Sequence, residues 1–247
     1  MATIQFTIRA KGLELEASAK VPTGATRVGE LLPLARSLAD AVVRQTCDAA
    51  AAAGEPVSCR AGCGACCSHL VAVSEIEARR IGEVVDGLAE PRRSEVLARF
   101  ERARERLAEA GLLDELERPQ DWTGERYHRL TGAYFRLSLP CPFLEQGSCS
   151  IYEERPLTCR EYHVVSDPAH CALPGHPGVR VVRPPLRFFN AVARWQTPAT
   201  EHLEESAVAL IVAPAWARSH PDATTPRPGV ELLRELLDHL NEDWPAA

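Results

Sequence analysis

The sequence predicts a mainly α-helical protein with a small N-terminal β-hairpin and irregular, cysteine-rich loops packed on the helices. Three observations carry this. Two short alternating runs open the chain, several stretches with helical apolar periodicity come next, and two segments lose all periodicity where the cysteines gather. The chain has 247 residues, 45% of them apolar, and a net charge of −6. That length can bury a core of its own, so we expect a single globular domain over residues 1–247.

Ile4, Phe6 and Ile8 alternate with polar residues, as do Leu13, Leu15 and Ala17. With Lys11-Gly12 between them, residues 3–9 and 13–20 form a hairpin within residues 1–22, and one face of it should pack on the rest of the chain. From Gly29 to Ala53 the pattern is helical, with Leu31, Leu34, Leu38 and Val42 in one stripe and Gly54 as the stop. Residues 55–73 break the pattern. Ser74 and Glu77 then form a capping box that opens a helix with Ile81, Val84, Val85 and Leu88 inward.

Pro91 suits the first turn of a helix over 92–117, with Val96, Phe100, Ala103 and Leu107 inward. Its other face alternates Arg99, Glu101, Arg102 and Glu105 and reads as a solvated surface. A further helix covers 123–138. Residues 139–185 are rich in Pro, Gly and Cys, a length of irregular chain that needs something besides a core to order it. In the C-terminal helical region, 186–247, Phe188, Phe189, Val192 and Trp195 mark a short helix. Leu203, Ala207, Leu210 and Ile211 mark another, and Leu232, Leu233, Leu236, Leu237 and Leu240 a last one after Pro228.

Composition excludes several classes of function. The acidic balance argues against general nucleic-acid binding. No apolar run is long enough to span a membrane. Met1 to Lys11 lacks the basic-then-apolar order of a secretory signal, so a cytoplasmic location is expected. In a reducing compartment the nine cysteines point to metal rather than disulfides.

Their positions sharpen this. Cys59, Cys63, Cys66 and Cys67 form one group in CRAGCGACC; Cys141, Cys149, Cys159 and Cys171 form the second. Thiolate is the metal-binding form, and the Cys63-x2-Cys66 spacing lets one turn present two sulfurs to one ion. The adjacent pair Cys66-Cys67 points its side chains in different directions, so the two serve different metals or a polynuclear cluster, or one of them does not ligate. Cys47 stands alone in a helix and reads as a small buried hydrophobe. The other eight suit two tetrathiolate sites, or one cluster with spare thiols. His69, His163 and His170 lie close to these cysteines, but with eight thiols no histidine is required.

Arg60, Arg155 and Arg160 are near enough in sequence to offset thiolate charge, and Phe143, Ile151 and Tyr152 to form a dry shell. Glu153-Glu154, adjacent carboxylates, reads as solvated. No phosphate loop, Ser-His-Asp arrangement or HExxH is present. Cysteine-only ligation suits zinc or an iron–sulfur cluster; the long spacings and doubled cysteine favour the cluster.

The stretch CRAGCGACCSHLVAVSEIEARRI, with CPFLEQGSCSIYEERPLTCREY further along, resembles the YkgJ-type cysteine-cluster family, named for its CxxCxxCC signature and described as zinc- or iron-chelating. The resemblance implies a cysteine-cluster region over 58–172, with Cys59, Cys63, Cys66, Cys67, Cys141, Cys149 and Cys159 at the family's cysteine positions and Cys171 as a counterpart of its further cysteine. His163 departs from the residue type usual there. Three functions compete: a metal-binding protein holding an iron–sulfur cluster or zinc; a cluster-dependent protein-modifying enzyme, since flagellin lysine N-methylases carry a similar cysteine arrangement; and an interaction module with structural zinc, docking a protein partner through the last helix or the hairpin edge.

Overall fold

The structure, a computed structural model, describes residues 1–10, 12–118, 122, 124–195 and 207–241. Strands β1 (Ala2–Ala10) and β2 (Leu13–Val21) pair antiparallel, Ala10 opposite Leu13 and Ala2 opposite Val21. This is the expected hairpin. Gly12 takes φ 75°, while Lys11 lies outside the described residues. Because side chains alternate across a strand, Ile8, Leu13, Ala19 and Val21 all bury on one face. A side-chain amide of Gln45 caps the Glu14 carbonyl.

After β3 (Ala25–Thr26) and a 3-10 turn at Val28–Leu31, helix α1 (Leu32–Ala52) buries Leu38, Ala39 and Val42. It ends at Gly54, whose φ of 83° is the left-handed conformation that stops helices. Strand β4 (Ala72–Ser74) leads into α2 (Glu75–Asp86), with the capping box formed as expected. The helix expected over 92–117 is two: α3 (Arg92–Glu109) and the single turn α4 (Leu113–Leu116), broken where Gly111 adopts φ 70°. Helix α5 (Gly124–Arg136) is close to expectation, except that residue 123 lies outside the described residues.

The cysteine-rich stretch is built from small pieces: β5 (Leu144–Glu145), β6 (Ser148–Cys149), α6 (Leu157–Glu161), β7 (His163–Val164), a 3-10 turn at Pro168–Ala172, and β8 (Val181–Val182). β5 pairs with β6, and β7 with β8. Helix α7 (Phe188–Arg194) comes after them.

The helix expected around Leu203–Ile211 is corrected. Leu203 is outside the described residues, Ala207–Ala209 is strand β9 paired with β4, and Leu210–Val212 is a 3-10 turn. Short apolar runs fit either period, and here a distant partner strand (Ala72↔Ala209 to Ser74↔Ala207) decides. Then come α8 (Ala213–Ser219), β10 (Arg227–Pro228) paired with β3, and α9 (Gly229–Asn241). α9 buries Leu232, Leu233, Leu236 and Leu240 beside the hairpin and α7. One buried apolar cluster runs from Ile8 through the helices to Leu240. Among the described residues no helix is long and apolar enough to cross a membrane.

Candidate metal centre

Tight turns shape the first cysteine loop. Cys63 N–H donates to Arg60 O at 3.0 Å, Cys67 N–H to Gly64 O at 3.0 Å, and His69 N–H to Cys66 O at 3.1 Å. Gly62 takes φ 84°, a conformation glycine adopts without strain. Gly64 is needed for a different reason. A Cβ there would stand 2.6 Å from Leu144 Cδ1 and 2.8 Å from Gly147 O, so the two cysteine loops touch through its bare backbone. On the opposing loop Gln146 (φ 50°) and Gly147 (φ 78°) make the turn between β5 and β6, which sets Cys149 opposite Leu144. Cys141 N–H donates to Cys67 O at 2.7 Å. Two groups far apart in sequence are thereby joined.

Helix α6, which carries Cys159, is fixed by charged side chains from three other elements. Glu77 of α2 accepts from Leu157 N–H at 2.7 Å, and Thr158 Oγ1 donates to Ala72 O at 2.7 Å. Arg160 donates to Asp40 of α1 at 2.5 Å and to the carbonyls of Arg155 and Glu153. Glu161, buried, accepts from Arg187 at 2.8 Å and from Phe188 N–H at the start of α7. Just upstream Glu154 is clamped between Arg36 of α1 and Arg80 of α2, the latter at 2.6 Å. These partners hold its carboxyl down to about 2, Arg80 contributing most.

Several expectations change here. Glu154 is not solvated but ties the cysteine loop to two helices. Arg99, expected on a solvated face, donates to Pro142 O and Glu145 beside Cys141. Arg160 spends its donors on Asp40 and carbonyls rather than on sulfur, and Arg60 is exposed. Arg155 does reach the thiols, helping to lower the Cys59, Cys66 and Cys149 values. Phe143 and Ile151 are buried, as a dry shell requires, but Tyr152 is exposed under the Arg155 guanidinium at 4.2 Å. His69 Nε2 is 2.7 Å from Cys171 O, and its ring packs on Phe135 and Tyr162. His170 stacks on His176. Cys47 is partly buried rather than sealed in the core, and burial, then Asp48 and Cys59, push its thiol up.

All nine cysteines are free thiols. Burial, first, then Cys141, Cys66 and Cys149 push the Cys159 thiol well above its ordinary value. Burial pushes Cys141 up to about 12, with Cys149 and Cys66 adding and the Phe143 N–H opposing. Cys149 is raised by burial and by Cys66, and lowered by the Ile151 N–H. Cys66 is raised by its hydrogen bond with Cys67, then by burial. The charges of Cys66, Cys141, Cys149 and Cys159 thus oppose one another's ionisation. Cys59 and Cys171 are each raised first by burial; Cys63 and Cys66 add to the rise of Cys59, and Cys66, Cys59 and Cys63 to that of Cys171. Val164 N–H donates to Cys59 Sγ at 3.3 Å, and Tyr162 Oη stands 4.0 Å from Cys171 Sγ.

Among the described residues no three Cys, His, Asp or Glu side chains already stand within one ion's coordination sphere. The chemistry of the donors nonetheless fits a thiophilic cation. Crowded thiols that raise one another's pKa are relieved when a metal displaces their protons. Arg155 Nε, His163 Nδ1 and His170 Nδ1, each within a few residues of a cysteine, are buried without a hydrogen-bond partner. Such orphaned atoms are rare unless a site has an occupant to meet them. Neither Glu154 nor the double role of Glu77 carries a local sequence signal; their partners lie 74 to 118 residues away.

No curated protein and no solved structure matches the chain. A family model does: CxxCxxCC, described as "Putative zinc- or iron-chelating domain", over residues 58–176. That span holds all the cysteines except Cys47 and each of the loops joined above, so the cysteine-rich region of the chain is similar to the CxxCxxCC domain.

Proposed function

We propose that the protein binds metal through thiolates drawn from Cys59, Cys63, Cys66, Cys67, Cys141, Cys149, Cys159 and Cys171, and that the bound species is an iron–sulfur cluster in preference to zinc. The observation that carries the reading is the joining of the two cysteine groups, by the Cys141 N–H to Cys67 O hydrogen bond at 2.7 Å and the close approach of Gly64 to Leu144 and Gly147. Four thiolates serve either species; the wide x7 and x9 spacings and the adjacent Cys66-Cys67 pair favour the cluster. A cluster supplies one-electron chemistry, and zinc a redox-silent crosslink.

The chain's own part is clearer. Peptide N–H groups of Phe143, Ile151 and Val164 donate to sulfur and stabilise thiolate. Arg155 places a cation beside them, and Phe143 and Ile151 keep water away.

Anaerobic purification with iron, sulfide and zinc analysis and an absorption spectrum tests the reading. We expect iron with labile sulfide and a brown sample. Stoichiometric zinc in a colourless sample overturns the cluster assignment and leaves thiolate binding standing. Absence of both metals, with disulfides on thiol counting, overturns the whole. Cys159→Ser is expected to lose metal while Cys47→Ala retains it, and metal loss from Cys47→Ala would contradict the ligand set.

A further inference from the structure

The hairpin leaves one long strand edge open. Ala10 and Leu13 flank a two-residue connection and form a hydrogen-bonded pair, and in an antiparallel ladder such pairs alternate with unbonded ones. Ala2, Ile4, Phe6, Ile8 and Ala10 therefore turn their peptide groups to β2, while those of Thr3, Gln5, Thr7 and Arg9 point away from it. The same alternation on β2 points the Glu14 carbonyl outward, and there Gln45 of α1 donates to it at 3.3 Å. β1 has no such neighbour. Among the described residues its sheet ends with it, and nothing bonds the outward peptide groups of Thr3, Gln5, Thr7 and Arg9. The edge also lacks the features that keep strand edges from pairing: its nine residues, ATIQFTIRA, hold no proline and no lysine and run without a bulge. Ile4 and Phe6 are only half-buried on the face where Ile8 is buried.

We propose that β1 is a self-pairing strand: two copies of the chain join antiparallel along it, and two hairpins become one four-stranded sheet. The occupant is a second copy because the strand is complementary to itself. The register that pairs all nine residues is centred on Phe6. Across that seam Thr3 faces Arg9 and Gln5 faces Thr7, so the residues with outward peptide groups bond one another. Ile4 faces Ile8, and Phe6 faces Phe6 as an unbonded pair, in which side chains approach most closely. Arg9 is the strand's only charge, so the two arginines sit at opposite ends and no like charges meet within the seam. A slip of one residue would set apolar side chains against the polar face, and a slip of two would leave strand ends unpaired.

Light scattering after size exclusion, and sedimentation equilibrium, test this on the full chain in reductant, which removes disulfide-linked pairs. We expect twice the mass of one chain. Gln5→Pro deletes an outward N–H that the hairpin does not use, so it should raise the dissociation constant at least tenfold while the far-ultraviolet circular dichroism stays native. Charge reads the register. Gln5→Lys with Thr7→Lys sets like charges across the seam and should separate the copies, whereas Gln5→Glu with Thr7→Lys sets opposite charges there and should keep them together. If Gln5→Pro loses its native spectrum, the charge variants decide alone. Metal content should be the same in all of them, since the proposal does not depend on the metal reading. A chain that stays monomeric up to millimolar concentration overturns the proposal and leaves the edge to a strand of another protein. A pair that survives both Gln5→Pro and the double lysine variant is joined elsewhere, which overturns it equally. Dissociation of both charge variants overturns the register centred on Phe6, and assemblies larger than two overturn the closed pairing.

Discussion

Replacing Glu77 should destabilise the protein and loosen the metal centre together, although the residue stands in a helix with no cysteine nearby in sequence. Its carboxylate is fully buried and accepts from Leu157 N–H at 2.7 Å, from Ser74 N–H at 3.1 Å and from Ser74 Oγ at 3.1 Å. Glu77→Ala strands two buried peptide N–H groups, each costing about 1–3 kcal/mol, and removes half of a capping box. Some of this is returned, because burial already penalises the charged form of Glu77. The net loss should be about 2–4 kcal/mol.

Glu77→Gln keeps one acceptor oxygen and should lose about half as much. Urea unfolding of the metal-free protein, monitored by far-ultraviolet circular dichroism, measures the first effect. A chelator chase measures the second. Leu157 begins the helix that carries Cys159, so the alanine variant should release metal at least fivefold faster. Two results would refute the reasoning: a loss below about 1 kcal/mol for Glu77→Ala, or a glutamine variant as unstable as the alanine one.

Glu154 gives a pH signature. Its carboxyl is held to about 2 against an ordinary 4.5, so its contribution is complete above about 4.5 and disappears as pH falls towards about 2. That gap corresponds to about 3 kcal/mol, reduced to roughly 1–2 kcal/mol because a third of the side chain faces solvent. Urea midpoints should therefore show the unaltered chain ahead of Glu154→Gln at pH 6 and level with it near pH 2. A constant difference would contradict the ion-pair account. Gly64→Ala should force the cysteine loops apart at Gly147 O, destabilising by about 1–3 kcal/mol and speeding metal release in the chelator chase; native release rates would show that the close approach is unimportant. Arg155→Ala should weaken metal binding about tenfold in competition with a chelator, with Arg155→Lys recovering part of the loss. Unchanged affinity for Arg155→Ala would remove that side chain from the thiolate environment.

Local features were legible in the sequence. The hairpin register comes from strict alternation on both sides of Lys11-Gly12, and Ser74 and Glu77 announce the start of α2 three residues apart. The Val96, Phe100, Ala103 and Leu107 stripe lies inward as its spacing requires. Long-range polar partners were not legible. An Arg–Glu alternation looks the same whether its arginines face water or, as with Arg99, reach Pro142 and Glu145 on another loop. Glu77 announces its cap but not the second donor it serves at Leu157, since nothing local marks an acceptor for a helix 80 residues on. At Ala207–Ala209 a short apolar run carried no period of its own until β4 supplied one. For the centre, the grouping of cysteines was visible, whereas the Cys141 N–H to Cys67 O bond that joins the two groups depends on how the loops fold over each other.

The hydrogen bond from Cys141 N–H to Cys67 O has a consequence for how this protein tolerates change in length. The chain leaves the centre at Cys67, passes through α2, α3, α4 and α5, and returns to the same point at Cys141. The sulfurs therefore sit at the neck of a closed excursion. Closure entropy grows only with the logarithm of loop length, so doubling such an excursion costs only about 0.6 kcal/mol. Additional residues at its exposed tip, around Ala110 and Gly111, would leave the neck where it is. The helical excursion can be lengthened and resurfaced there while the sulfur geometry stays fixed, provided that Glu77, Arg80 and Arg99 keep their hold on the neck.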